Sequence, residues 1–244
     1  MIALSLPFLM LAPISAQTSG LAPIAAQNQN KALVLSSLEA IYPMGFYGGL
    51  ISNDLKQAGY QVTDLNDAAI TVDFLVTQLN NYDVIIWRTN TYMQDHETYW
   101  YVGERVNSTT EQKYATDFAN GSINLNAGTL GVDMDFFSEH FPTGSLSNVK
   151  LILLISSDSD SIGPIFITAG ARAVLICMDQ IDLSFGIIDD LTGLVVSDLT
   201  HGQNLQQSVQ AAINPYGNQP DPNYLDDNYS PPFWFLGDGT ITLT

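Results

Sequence analysis

Short apolar runs alternate with amphipathic stretches along most of this chain. Ala32–Ser36, Asp83–Thr89, Lys150–Ile155 and Ala173–Met178 are five to seven residues long and largely apolar, and Tyr60–Leu65 reads as a further strand. Such runs predict strands buried on both faces, as in a parallel sheet. Between them, Ile51, Leu55 and Ala58 share one helical face closed by Gly59, and Val72, Leu75, Val76 and Leu79 fall at i, i+3, i+4 and i+7. Further helices are predicted at Phe136–Phe141, at Ile162–Ala169 with Gly170 as its stop, from about Gly186 to Leu199, and from Asn204 to Ile213. Strands alternating with helices predict an α/β fold with a doubly wound, mainly parallel sheet, three layers deep. Ligands in such sheets sit at the carboxyl ends of the strands.

Three segments depart from this rhythm. Residues 1–30 hold a proline-broken apolar run and the near-repeat LAPISAQ/LAPIAAQ, and predict a leader or signal-like segment. Residues 90–131 are polar and aromatic without a sustained period, and predict a hairpin-containing insertion with Thr98–Val102 pairing against a strand near Tyr114–Phe118. Residues 215–244 form a tail rich in Pro, Asn and Asp, ending in the strand-like Phe233–Leu236 and Thr240–Leu243. The α/β domain itself is expected over 31–214.

Charge narrows the function classes. Seven Lys+Arg stand against 25 Asp+Glu, a formal net of −18, so the surface repels phosphate backbones and anionic headgroups. Nucleic acid and anionic membrane surfaces are therefore excluded as partners. Charged residues are only 13% of the chain, so Asn, Gln, Ser, Thr and Tyr carry the polar surface, a blend associated with secreted and cell-surface proteins. Three N-x-S/T triplets, at Asn107, Asn120 and Asn228, add little, because chance produces a few in such a composition. One cysteine, Cys177, excludes an internal disulfide.

Several phrases match a known family in order and spacing: ITVDFLVTQLNNYDVIIWRT, then VKLILLISSDSD, then IFITAGARAVLICMDQID, then LTHGQNLQQSVQAAIN. Over about Lys31–Asn214 the chain resembles the caspase-like (clan CD) peptidases, including the CHAT and gingipain-type branches. That resemblance implies a catalytic histidine just after the third strand and a catalytic cysteine just after the fourth. Here the first position falls on Asn90, and the second on Ser157, or on Ser156 with a one-residue shift. Asparagine does not shuttle protons near neutral pH, and a serine without an adjacent base is a poor nucleophile.

The chemistry-bearing residues that remain leave three readings open. The first is a non-catalytic caspase-like domain, exported, that binds a protein or peptide partner or joins a surface assembly. Tyr92 and Trp100 in the insertion are its candidate recognition residues, with Asp158 a further binding candidate and Asp179 and Asp182 beyond Cys177 favouring basic side chains. The second is a hydrolase with a rewired nucleophile, Ser157 assisted by His96, or Cys177. The third is a Rossmann-like binder of a small ligand, although neither G-x-G-x-x-G nor a P-loop occurs. No cofactor is expected. Calcium is the one metal considered, at Asp158 with Asp160, Asp133 with Asp135, or Asp221 with Asp226 and Asp227, none of which has the EF-hand pattern. His140 and His201 sit at helix ends, where capping roles are expected.

Overall fold

Four of the expected strands, Ala32–Ser36, Val84–Arg88, Leu151–Ile155 and Ala173–Cys177, lie buried on both faces, whereas Gln61–Asn66 is an edge strand with no buried residue, its Gln, Thr, Asp and Asn reaching solvent. In a computed structural model, the described residues are 29–37, 39–41, 43, 46–177, 185–214 and 233–244. Nearly all of the expected leader, and Asp179, Asp182, Asp221, Asp226 and Asp227, fall outside them.

The chain runs β1 (Lys31–Ser36), α1 (Phe46–Gln57), β2 (Gln61–Asn66), α2 (Val72–Gln78) and β3 (Val84–Arg88). The insertion follows as β4 (Thr91–Gln94), β5 (Glu97–Arg105), α3 (Ser108–Lys113), α4 (Ala115–Asn120), β6 (Ile123–Asn126) and β7 (Thr129–Val132). Then come α5 (Met134–His140), β8 (Leu151–Ile155), α6 (Ser159–Thr168), β9 (Ala173–Cys177), α7 (Phe185–Thr200), α8 (Leu205–Ile213) and β10 (Phe233–Gly237).

Six strands form the main sheet in the order β10-β9-β8-β3-β1-β2, parallel except for β10. Successive side chains in β8 divide between two cores, as the pleat requires. Leu151, Leu153 and Ile155 meet α1, α7 and α8 through Ile51, Leu55, Leu191, Val195 and Val209. Ile152 and Leu154 meet α2, α5 and α6 through Leu75, Phe136 and Phe166. The result is the expected three-layer, doubly wound α/β architecture. Strand order reverses around β1, which puts the crevice of such a sheet at the carboxyl ends of β1 and β3.

The insertion differs from the sequence expectation in its pairing. Residues 91–132 supply a second, antiparallel sheet in the order β4-β5-β7-β6, and β5 pairs with β4 and β7. Tyr114–Phe118 is helical instead of extended. The preceding α3 opens on a capping box, in which Asn107 Oδ1 accepts from the N–H groups of Thr109 and Thr110 and Thr110 Oγ1 accepts from the Asn107 N–H, and α4 follows directly after Tyr114 with no side-chain cap of its own. Gly121, at φ +88, ends α4 in the left-handed region. Trp100, Val102, Leu130 and Val132 of this sheet enter the same core as Trp87 and Phe137, which joins the insertion to the sheet's α2/α5/α6 side.

The end of the chain belongs to the α/β domain, beyond the expected limit at residue 214. β10 pairs antiparallel with β9, and Gly237 adopts φ +85 where a Cβ would stand 2.3 Å from the Arg172 carbonyl oxygen. Thr240–Leu243 is not a strand, yet Leu205 N–H donates to Ile241 O at 2.9 Å and Leu243 N–H to Leu199 O at 3.1 Å. Ile241 and Leu243 are buried with α7 and α8. Among the described residues no helix is long and apolar enough to cross a membrane.

Candidate functional site

β3 and β8 are adjacent and in register, Arg88 opposite Ile155, so the residues that follow them emerge at one sheet edge. Thr89 N–H extends the ladder by donating to Ile155 O at 3.0 Å. Asn90 and Ser157 therefore come together: Ser157 Oγ donates to Asn90 Oδ1 at 3.3 Å. Asn90 Oδ1 also accepts from Thr91 N–H at 2.9 Å. Thr91 Oγ1 lies 3.2 Å from Ser157 Oγ and donates to Asp158 Oδ2 at 3.2 Å. Ser156 is turned away; it is buried, and its Oγ donates to the Ser157 carbonyl at 3.0 Å. Of the two serines, Ser157 is thus the one that faces Asn90.

This cluster is made of amide, hydroxyl and carboxylate groups that satisfy one another. Asp158 holds φ 55, ψ 16 at the entrance to α6, a left-handed conformation that Asp tolerates better than most residues, and its side chain makes no capping bond. Its carboxylate is instead turned to Thr91. No imidazole or thiol is among the hydrogen-bond partners of Ser157 within the described residues.

Directly beneath lies a buried ion pair. Arg88 Nε donates to Asp189 Oδ1 at 2.7 Å and Nη2 to Oδ2 at 3.0 Å, with the two side chains 2% and 4% exposed. Burial pushes the Asp189 carboxyl above its ordinary value, and the hydrogen bond and charge of Arg88 draw it back. The fork-to-fork geometry fastens α7 to the end of β3, two residues before Asn90.

The other sequence candidates are dispersed. His96 is exposed, at φ 73 in the turn between β4 and β5. At about 3.3 Å per residue, β4 carries it more than roughly 10 Å from Thr91. Cys177 ends β9 and is fully enclosed; burial, the leading cause, pushes its thiol up to about 12 despite a hydrogen bond from the Ser156 backbone. Ser159 ties the same strand end down, donating to Cys177 O at 3.0 Å and accepting from Cys177 N–H at 2.8 Å. A thiol so placed stays protonated at neutral pH, which argues against a nucleophilic role.

Trp100 is 1% exposed and stands edge-on to Phe137 at 5.8 Å, so it serves the core and is not presented to a partner. Tyr92 is half-buried and lies between Tyr99 and Tyr101, at 5.4 and 4.8 Å between ring centroids. Burial raises the Tyr92 phenol above its ordinary value. Asp133 caps α5 by accepting from Phe136 N–H at 2.8 Å. Neither Asp133 with Asp135 nor Asp158 with Asp160 is joined by a third Asp, Glu, His or Cys among the described residues. His201 ends α7 with Nδ1 2.7 Å from the Ser197 carbonyl, the expected helix-end role, whereas His140 turns its Nε2 to Asp117 at 3.2 Å.

Thr91, Arg88 and Asp189 are the site residues that sequence reasoning passed over. Arg88 had a visible signal, a lone cation ending an apolar strand in a chain with seven Lys+Arg. Asp189 had none, because its role depends on α7 crossing over β3.

No family model matches the chain, and no curated protein matches it. Among solved structures, it is similar to the Drosophila initiator caspase Dronc at 11% identity and TM-score 0.48, covering 87% of this chain and 81% of that one. It is also similar to protein GSU0716 of Geobacter sulfurreducens at 10% identity and TM-score 0.39, covering 86% of this chain and 94% of that one.

Proposed function

We propose that this chain is a caspase-like domain without peptidase chemistry, working outside the cell by binding a protein or peptide partner or as part of a surface assembly. The observation that carries the reading is the Asn90–Ser157 contact. The family resemblance puts a base and a nucleophile at those two strand ends, and here an amide oxygen and a hydroxyl satisfy each other at 3.3 Å. A neutral amide neither accepts a proton from serine nor orients as an imidazole does. The charge of −18 and the Asn-, Ser- and Thr-rich surface support an extracellular setting and a partner that offers basic side chains.

A serine hydrolase is the competing reading, and one feature favours it: Ser157, Thr91 and Asp158 form a chain of hydroxyls ending on a carboxylate. That chain delivers a weak base through a second hydroxyl, so the non-catalytic reading is preferred. Incubation with a mixed peptide library and with a fluorophosphonate probe separates the two. The proposal expects no cleavage and no labelled serine. Labelling that disappears in Ser157→Ala, with peptide turnover, would overturn it.

A further inference from the structure

Outside the strand-end cluster, three metal-ligating side chains converge where α4 meets the end of α5. Asp117, Glu139 and His140 bring one ligand atom each to within 4.8 Å of one another. His140 Nε2 is 3.2 Å from Asp117 Oδ1, and its ring is set by Phe136, 4.3 Å away between centroids. Asp117 Oδ1 is also 3.4 Å from Ser122 Oγ. Asp117 and His140 are partly buried and Glu139 is exposed, so two positions are held in place and the third is able to swing.

We propose that Asp117, Glu139 and His140 bind a divalent first-row transition ion of the Zn²⁺ type, which ties the insertion helix α4 to α5. The donor set gives the class. One imidazole nitrogen with two carboxylate oxygens suits zinc, while calcium and magnesium take oxygen-only sets. With ligand bonds of about 2.0–2.2 Å, neighbouring donors of a tetrahedral zinc stand roughly 3.3–3.6 Å apart. The His140–Asp117 separation of 3.2 Å is already close to that, and rotation of the exposed Glu139 closes the remainder. Water completes the fourth position. The charge of −18 raises the local concentration of cations around the whole molecule.

The same three residues have a plainer reading, a His–Asp hydrogen bond with a bystander glutamate. Glu139 separates the two, because it takes no part in the His140–Asp117 contact. Zn²⁺ is titrated calorimetrically into the chelator-treated full chain, with thermal unfolding followed in parallel. The expected result is saturable one-to-one binding and a higher Tm. Glu139→Gln and His140→Ala should each weaken Zn²⁺ binding by at least about tenfold. His96→Ala and His201→Ala should leave it unchanged, and excess Ca²⁺ should not displace the zinc. Absence of saturable binding, or wild-type affinity in either Glu139→Gln or His140→Ala, overturns the site. Glu139 is exposed, so the Glu139→Gln variant tests ligation without disturbing the core.

Discussion

Ser157 Oγ donates to Asn90 Oδ1 at 3.3 Å across the carboxyl ends of two adjacent parallel strands. The contact is one hydrogen bond long, the distance at which a thiol and an imidazole act on each other. Asn90→His combined with Ser157→Cys should therefore produce a reactive thiol. Alkylation by iodoacetamide at pH 7, followed by mass spectrometry, should be at least about tenfold faster than in Ser157→Cys alone, since a neighbouring imidazole stabilises the thiolate. Equal rates in the two variants would show that the strand ends do not present these positions to each other.

The Arg88–Asp189 pair should behave as a buried ion pair whose separation is costly. Arg88→Met leaves the buried Asp189 carboxylate without its guanidinium and is expected to cost about 3–5 kcal/mol in urea unfolding. Arg88→Met combined with Asp189→Leu should recover much of that loss, because neither charge then remains buried. An additive double variant would contradict the coupling.

Cys177 gives a prediction about pH. Its thiol rises from an ordinary 9.0 to about 12 in the folded chain. A group whose folded value is raised contributes stability that is complete below the unfolded value and is lost as pH climbs through the folded one. Its contribution should thus decline between pH 9 and about 12. Cys177→Ala should make the fall of the unfolding free energy over that window shallower, while the raised phenols of Tyr60 and Tyr114 keep part of the slope. At pH 8 the native protein should resist alkylation, with roughly 10³-fold fewer thiolates than the unfolded chain; native labelling at the unfolded rate would contradict this.

The last twelve residues should be indispensable to the fold. Phe233, Ile241 and Leu243 are 1%, 5% and 0% exposed, and burying each is worth about 1.5–3 kcal/mol. A chain cut after Ile213 also loses the strand that covers the β9 edge. It should show no cooperative thermal transition by circular dichroism, whereas the full chain should show one.

Much of the fold was legible because burial on two faces leaves a one-dimensional trace. The run Leu151–Ile155 is apolar throughout since both cores claim it, and Val72 and Leu75 mark α2 by period alone. The insertion was harder to read. Its strands carry Tyr, Thr, Asn and Glu on faces only partly covered, and the helix at Ser108–Lys113 depends on the Asn107 cap more than on a hydrophobic stripe, Thr110 being its one buried residue. Trp100 looked like a surface aromatic because nothing local shows that Phe137 lies against it.

By itself, then, the sequence determined the alternation of buried strands and helices, the acidic surface, and the residue types at the two strand ends. Those properties are local or compositional, and they survive without knowledge of distant contacts. Tertiary structure decided that Ser157 rather than Ser156 faces Asn90, that Thr91 links it to Asp158, that Asp189 neutralises Arg88, and that Asp117 meets His140. Each of these joins residues separated by a crossover, an insertion or a hairpin. Their meeting depends on strand register and helix placement, which no stretch of neighbouring residues encodes.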